Sequence, residues 1–317
     1  MARWLAFAIL ALISSLAAAQ GFPDRPIRLI VPLPPGGSPD TIARALAQGL
    51  QSVWNQPVVV ENRLGGSQNI GADAVAKSPP DGYTWLIAPD NVFSVNPYLG
   101  KQSFDPLVDL APVTQVARIQ FLLVVNPSVP AHSVQELIAL AKAKPGELNF
   151  GSSGNGSPQH LGATMLQVLT GIKMNHVPYK GAAPAIADLL PGRIQVWIGA
   201  ANSLLPHVKE GKLRLLASTA PQRFASLADV PTIGETVPGY ALDPWLGLFV
   251  PAKTPPEIIA KVNAEVVRLL GAPELKAKLG PQGIELITNS PAEFAQFIRE
   301  DNAKWGKIVK EAGIRAD

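Results

Sequence analysis

Apolar and polar positions alternate along this chain in a repeated unit. A short aliphatic run is followed by a turn of Gly, Pro, Ser or Asn, and then by apolar residues at helical spacing. The first unit predicts a strand over Ile27–Val31, a glycine turn over 32–39 and a helix from 38–41 to about Val53. A second strand is expected over 57–61, a glycine turn over 62–71, a helix over 72–77 and a strand over 83–88. Residues 89–97 are polar and read as a turn. Strands at 113–117 and 121–125 follow, then a helix from Ser133 to Lys144 with Glu136 placed for a capping box. The unit recurs as a strand at 148–151, the loop 152–158 and a helix over 159–169, with Ser157 as N-cap and Pro158 in the first turn. Further alternation predicts strands at 174–179, 194–198 and 213–218 and helices at 182–190 and 203–209. An extended apolar segment at 244–251 leads to helices from 255, at 273–279 and from 291 to about 311, with a strand at 284–287.

Two βα series therefore follow one another, and the loops at the carboxyl ends of such strands are where open α/β sheets bind ligands. Two of these loops stand out, around Gly36-Gly37 and over 153–157. Each joins a strand to a helix N-terminus through glycines and hydroxyls, a place suited to a carboxylate or another anion. Asp40 is placed to cap its helix or to tie down the glycine turn.

Composition narrows the function classes. With 317 residues, 47% apolar and 16% charged, the chain has material for two globular lobes. A net charge of +3 without a basic block argues against nucleic acid as a partner. Cysteine is absent, which removes disulfides, a Cys nucleophile and Cys-ligated metals. At the N-terminus Arg3, an apolar stretch over 4–13 and Ala17-Ala18-Ala19 read as an export signal cleaved after Ala19. That stretch is too short for a membrane span, so a periplasmic location is expected.

Catalytic signatures are missing. There is no phosphate-binding G-x-x-x-x-G-K-[ST] and no H-E-x-x-H, and Gly151-Ser152-Ser153-Gly154-Asn155 departs from the G-x-S-x-G elbow at its last position. His132, His160, His176 and His207 have no metal-ligand spacing, so neither a metal nor a cofactor is expected. His160 could meet a hydroxyl of the 152–158 loop, but a Ser/His hydrolase needs a third, orienting group that the sequence does not nominate.

Six motifs taken together resemble one family. They are the segments 22–44 (FPDRPIRLIVPLPPGGSPDTIAR), 61–88 (ENRLGGSQNIGADAVAKSPPDGYTWLIA), 149–166 (NFGSSGNGSPQHLGATML), 176–195, 205–223 and 227–240, in register along the whole mature chain. This pattern is similar to the substrate-binding proteins of tripartite tricarboxylate transporters, the Bug family. The resemblance implies a two-lobe periplasmic binding protein fold (type II) with two crossing segments and an interlobe cleft. It sets lobe 1 at 20–125 plus 247–317 and lobe 2 at 126–246. It further implies a small organic acid as ligand, separate transporter membrane subunits as partners, and a monomer that serves transport, with a ligand-loaded sensor component signalling to a membrane receptor as the runner-up. Carried onto this sequence, the first-lobe contacts would be Pro35, Gly36, Gly37, Ser38, Arg63, Ser67, Ser94 and Asn96. Those of the second lobe would be Ser153, Asn155, Gly156, Ser157, His160, Tyr179, Lys180, Gly181 and Asn202. Residues 198–202 depart from the family pattern: the acidic or amide group followed by Pro is absent, which disfavours an amino acid ligand. Trp197 and the small residues 199–201 would leave room for an apolar body.

Overall fold

A computed structural model describes residues 21–100 and 102–313, so the expected leader at 1–19 lies outside the described residues. The first series runs β1 (Ile27–Val31), α1 (Ser38–Trp54), β2 (Val58–Asn62), α2 (Asn69–Ala76) and β3 (Thr84–Pro89). Two one-turn helices, α3 (Asn91–Ser94) and α4 (Asn96–Leu99), and then α5 (Pro106–Asp109) lead into β4 (Leu110–Ile119). The second series is β5 (Phe121–Val125), α6 (Val134–Ala143), β6 (Asn149–Ser152), α7 (Pro158–Thr170), β7 (Asn175–Pro178), α8 (Ala182–Leu189), β8 (Val196–Ala200), α9 (Ala201–Lys209) and β9 (Arg214–Ser218). After α10 (Ile233–Thr236) the chain returns through β10 (Trp245–Pro251), α11 (Pro256–Leu270), α12 (Pro273–Leu279), β11 (Ile284–Leu286) and α13 (Pro291–Ala312).

Two sheets result, a six-stranded one in the order β11-β4-β10-β3-β1-β2 and a five-stranded one in the order β7-β6-β8-β5-β9. The βα units give parallel pairs, β1 with β2 and β3, and β6 with β7 and β8. The strands next to the crossings pair antiparallel: β10 with β3 and β4, and β5 with β8 and β9. The fold is thus mixed α/β in two lobes, as the alternation of elements predicts.

Burial explains the elements. In α1, Ile42, Ala43, Leu46, Ala47 and Leu50 recur at helical spacing and are all buried, and the helix stops where Asn55 turns left-handed (φ 51°). β10 is buried at all seven positions because it is central in its sheet, with neighbours on both edges. On one face of that sheet Phe93, Trp245, Phe249 and Phe294 form an aromatic cluster, with Phe93 stacked on Phe249 at 4.1 Å.

Sheet membership divides the chain at Gln120 and near 243–244 rather than at 125/126 and 246/247. β5 hydrogen-bonds inside the second sheet, while Trp245 and Leu246 already pair in the first. Gln120 lies on the divide: its N–H donates to Gly283 O at 2.9 Å and its carbonyl accepts from Ala201 N at 2.8 Å. Most of the stretch 89–97 is helical, at 91–94 and from 96 onward, because the Asp90 carboxyl caps α3 and Asn96 donates to Ser67 O and Asn69 Oδ1. Those partners lie on a distant turn that local sequence does not reveal.

Candidate functional site

A cavity of about 530 Å³ lies between the two sheets. Turns of the first sheet line one side, turns of the second line the other, and Ile119, Phe121, Pro244 and Trp245 at the crossings form its base. Its walls are built mainly from the starts of helices. Gly37, Ser38 and Pro39 belong to the N-terminus of α1, Ser157, Pro158 and Gln159 to that of α7, and Gly181 and Ala182 to that of α8. A helix N-terminus carries N–H groups without intrahelical acceptors and a positive dipole end. Three of them meet at one cavity, whose lining contains no Lys, Arg or His among the described residues.

Local chemistry holds each turn in place. In the first, Asp40 accepts from Gly36 N at 2.9 Å, Arg44 Nε at 2.9 Å and Asn62 Nδ2 at 3.0 Å. Burial alone would raise this carboxyl, but the hydrogen bonds from Arg44, Gly36 and Asn62 together hold it below the ordinary Asp range. Of its two expected roles Asp40 therefore takes the second, tying down the glycine turn; the N-cap is Gly37, with no side-chain cap. In the turn before α7, Ser157 Oγ donates to Gly154 O at 2.7 Å and accepts from His160 N, so Ser157 is the N-cap as expected. His160 Nδ1 accepts from Gly156 N at 3.1 Å, and its ring stacks on His176 at 4.0 Å. The Ser157 hydroxyl and the His160 ring are thus each engaged within the turn. Gly156 is left-handed (φ +72°), and a Cβ there would come within 2.6 Å of Leu99 Cδ1 on the opposite lobe. Ser67 and Gln68 also adopt positive φ, at 49° and 73°, without being glycine. Such strain is held where neighbours over-determine it, and both residues line the cavity.

Of the residues expected from sequence, Gly37, Ser38, Ser67, Asn96, Ser153, Asn155, Gly156, Ser157 and Gly181 line this cavity together. The others lie elsewhere. Pro35 and Gly36 are exposed and are not among the lining residues. Arg63 is ion-paired with Glu61. Ser94 is fully buried and donates to Asp301 Oδ2 at 2.6 Å. His160 is not among the lining residues and is hydrogen-bonded to Gly156 N, Tyr179 donates to Asp188 Oδ2 at 2.9 Å, and Lys180 is exposed. Asn202 is exposed on α9, whose start packs against Gly283 at the divide instead of opening into the cavity. Trp197 is core rather than a pocket wall, and its indole fills the space over Gly199.

Sequence reasoning passed over Gln159 and Leu33 and left the role of Asp90 unassigned. Gln159 lines the same cavity, and its Oε1 is buried without a hydrogen-bond partner among the described residues. Its place one residue after Pro158 in the first turn of α7 was the available signal. Asp90 is buried, and burial, then the nearby Asp301 carboxylate, pushes it up to about 8.

Comparison with known proteins agrees with this architecture. Residues 42–314 match the model of the tripartite tricarboxylate transporter family receptor. Protein BugT of Bordetella pertussis is 37% identical over 309 residues, covering 96% of this chain and 94% of the relative. A protein encoded in the tcbD-tcbE intergenic region of Pseudomonas sp. strain P51 is 33% identical, with 99% and 95% covered. Among solved structures, R. palustris Rpa4515 with adipate superposes with a TM-score of 0.84 at 37% identity, covering 93% of this chain and all (100%) of that one. MatC from Rhodopseudomonas palustris with bound malate gives 0.79 at 29% identity, with 91% and 100% covered. By sequence along nearly its whole length and by fold, this chain belongs to the tripartite tricarboxylate transporter receptor family, whose members are periplasmic solute-binding proteins.

Proposed function

We propose that this protein captures a small carboxylic acid in the cavity between its lobes and presents it to the membrane subunits of a tripartite tricarboxylate-type transporter. The observation that carries this reading is the convergence of three helix N-termini, those of α1, α7 and α8, on a cavity that no basic side chain lines among the described residues. Aligned N–H groups and dipole ends favour an anion there, and the neutral Ser, Asn and Gln groups orient it. Two related solved structures are of proteins with carboxylic acids, Rpa4515 with adipate and MatC with malate. The protein binds without turnover, is exported with cleavage after Ala19 and works as a monomer. Its lobes are 21–120 plus 244–313 and 121–243, hinged at the two crossings.

A thermal-shift screen of a carboxylic-acid library tests the reading. An acid that binds only the folded protein raises its melting temperature as concentration rises above Kd. A library of mono-, di- and hydroxy-acids without a single shift would overturn it.

A further inference from the structure

Among the described residues, Asp90 is the one titratable side chain in the lining of the cavity. Its position is anomalous for an anion site, since an ionised carboxylate there would repel the solute. It is 6% exposed, Oδ1 accepts from Asn91 N at 2.8 Å, and its own N–H donates to Trp245 O at 3.1 Å on the crossing strand. Among the described residues no Lys or Arg forms an ion pair with it. We propose that Asp90 is a specificity-determining residue that meets the bound acid as a neutral hydrogen-bond donor, so that solute is taken up together with one proton when the medium is alkaline. The inference rests on the carboxylate-receptor reading and extends it.

The surroundings of Asp90 favour the neutral form. Asp301 on α13 and Asp243 beside the second crossing both act against its ionisation. Of the cations packed nearby, Lys304 lies within electrostatic reach of Asp90, Asp243 and Asp301 but donates its hydrogen bond to Ala241 O at 2.7 Å, and Arg118 pairs with Asp243 at 3.1 Å, close to Glu285. Burial and these neighbours push Asp90 up to about 8, so at neutral pH it keeps its proton. A neutral carboxyl offers an O–H to the solute and adds no charge, whereas an ionised one would select a solute carrying an ammonium group.

The sign of the pH dependence follows. Below about 8 the proton is already present in the free protein, and affinity is flat with pH; above it, binding must take up a proton, and affinity falls tenfold per pH unit. Titration calorimetry with adipate, malate and benzoate at pH 6, 7 and 9.5 reads this directly. For an acid that binds, Kd should be the same at pH 6 and 7 and weaken about 30-fold by pH 9.5. Asp90→Asn, which supplies a donor that does not titrate, should reduce that ratio to about twofold. In the unliganded protein, the carboxyl carbon signal lost in Asp90→Asn should titrate above pH 7. Flat affinity up to pH 9.5, or an Asp90 ionised below pH 6, overturns the inference and leaves the receptor reading intact. Failure of every carboxylic acid to bind at pH 6, where Asp90 is neutral, overturns both. Asp90-dependent binding of an amine-bearing solute that strengthens with pH would assign Asp90 the opposite role, that of an ionised counter-ion.

Discussion

The carboxyl of Asp40 fastens three pieces of the first lobe at once: the glycine turn through Gly36, its own helix through Arg44 and the end of β2 through Asn62. The Arg44 guanidinium is half exposed and contributes little alone, so the cost of losing Asp40 comes from the N–H groups left without an acceptor. Asp40→Ala should lower stability by about 1.5–3 kcal/mol in urea unfolding and loosen the turn that presents Ser38. Because the folded carboxyl lies below its unfolded value, this contribution is present above about pH 4 and is lost as pH falls through the folded value. Asp90 works in the reverse sense. Its raised value means that stability is greatest below the unfolded Asp range and declines between about pH 4 and 8, as the unfolded chain sheds a proton that the folded one keeps. Asp90→Asn should therefore stabilise the unliganded protein at pH 8, by about 1–3 kcal/mol, and have little effect at pH 4. Equal stability of variant and parent across that range would contradict the burial of an uncompensated carboxyl.

At the scale of elements, the strand–turn–helix unit was legible because its signals are local. Gly36, Ser157 with Pro158, and Gly181 each stand where a strand gives way to a helix, and each of these turns reaches the cavity. Pairing was less legible. The apolar run over 121–125 fits either sheet by composition, and only its hydrogen bonds to β8 and β9 decide. The same holds for Tyr179, Arg63 and Asn202, whose residue types suit a ligand but which are occupied by Asp188, by Glu61 and by a position on the hinge side of α9. The short helices at 91–99 depend on Ser67 and Asn69, more than twenty residues away, and could not be read from their own sequence. β10 carries the aromatic core that fixes these helices to the sheet, with Phe249 fully buried and stacked on Phe93. Phe249→Ala should cost about 3–5 kcal/mol in denaturant unfolding, with a lowered midpoint; a loss under 1 kcal/mol would mean that the cluster is not the anchor described.

For the whole molecule, a cavity walled by both lobes is complete only when the lobes approach, and a solute that touches both supplies the differential affinity for closure. The crossings are narrow: Gln120 alone separates β4 from β5, and the return passes through Asp243 and Pro244. Small-angle scattering should show a smaller radius of gyration with saturating acid than without, and an unchanged radius would point to a rigid cleft. The central claim, that helix N-termini hold a carboxylate, is tested most directly by calorimetric titration of one binding acid against its primary amide, which matches it in shape but lacks the charge. Charge-assisted hydrogen bonds exceed neutral ones by about 1–2 kcal/mol each, so two or more of them predict that the acid binds at least about 30-fold tighter. An amide that binds as tightly as its acid would contradict the account.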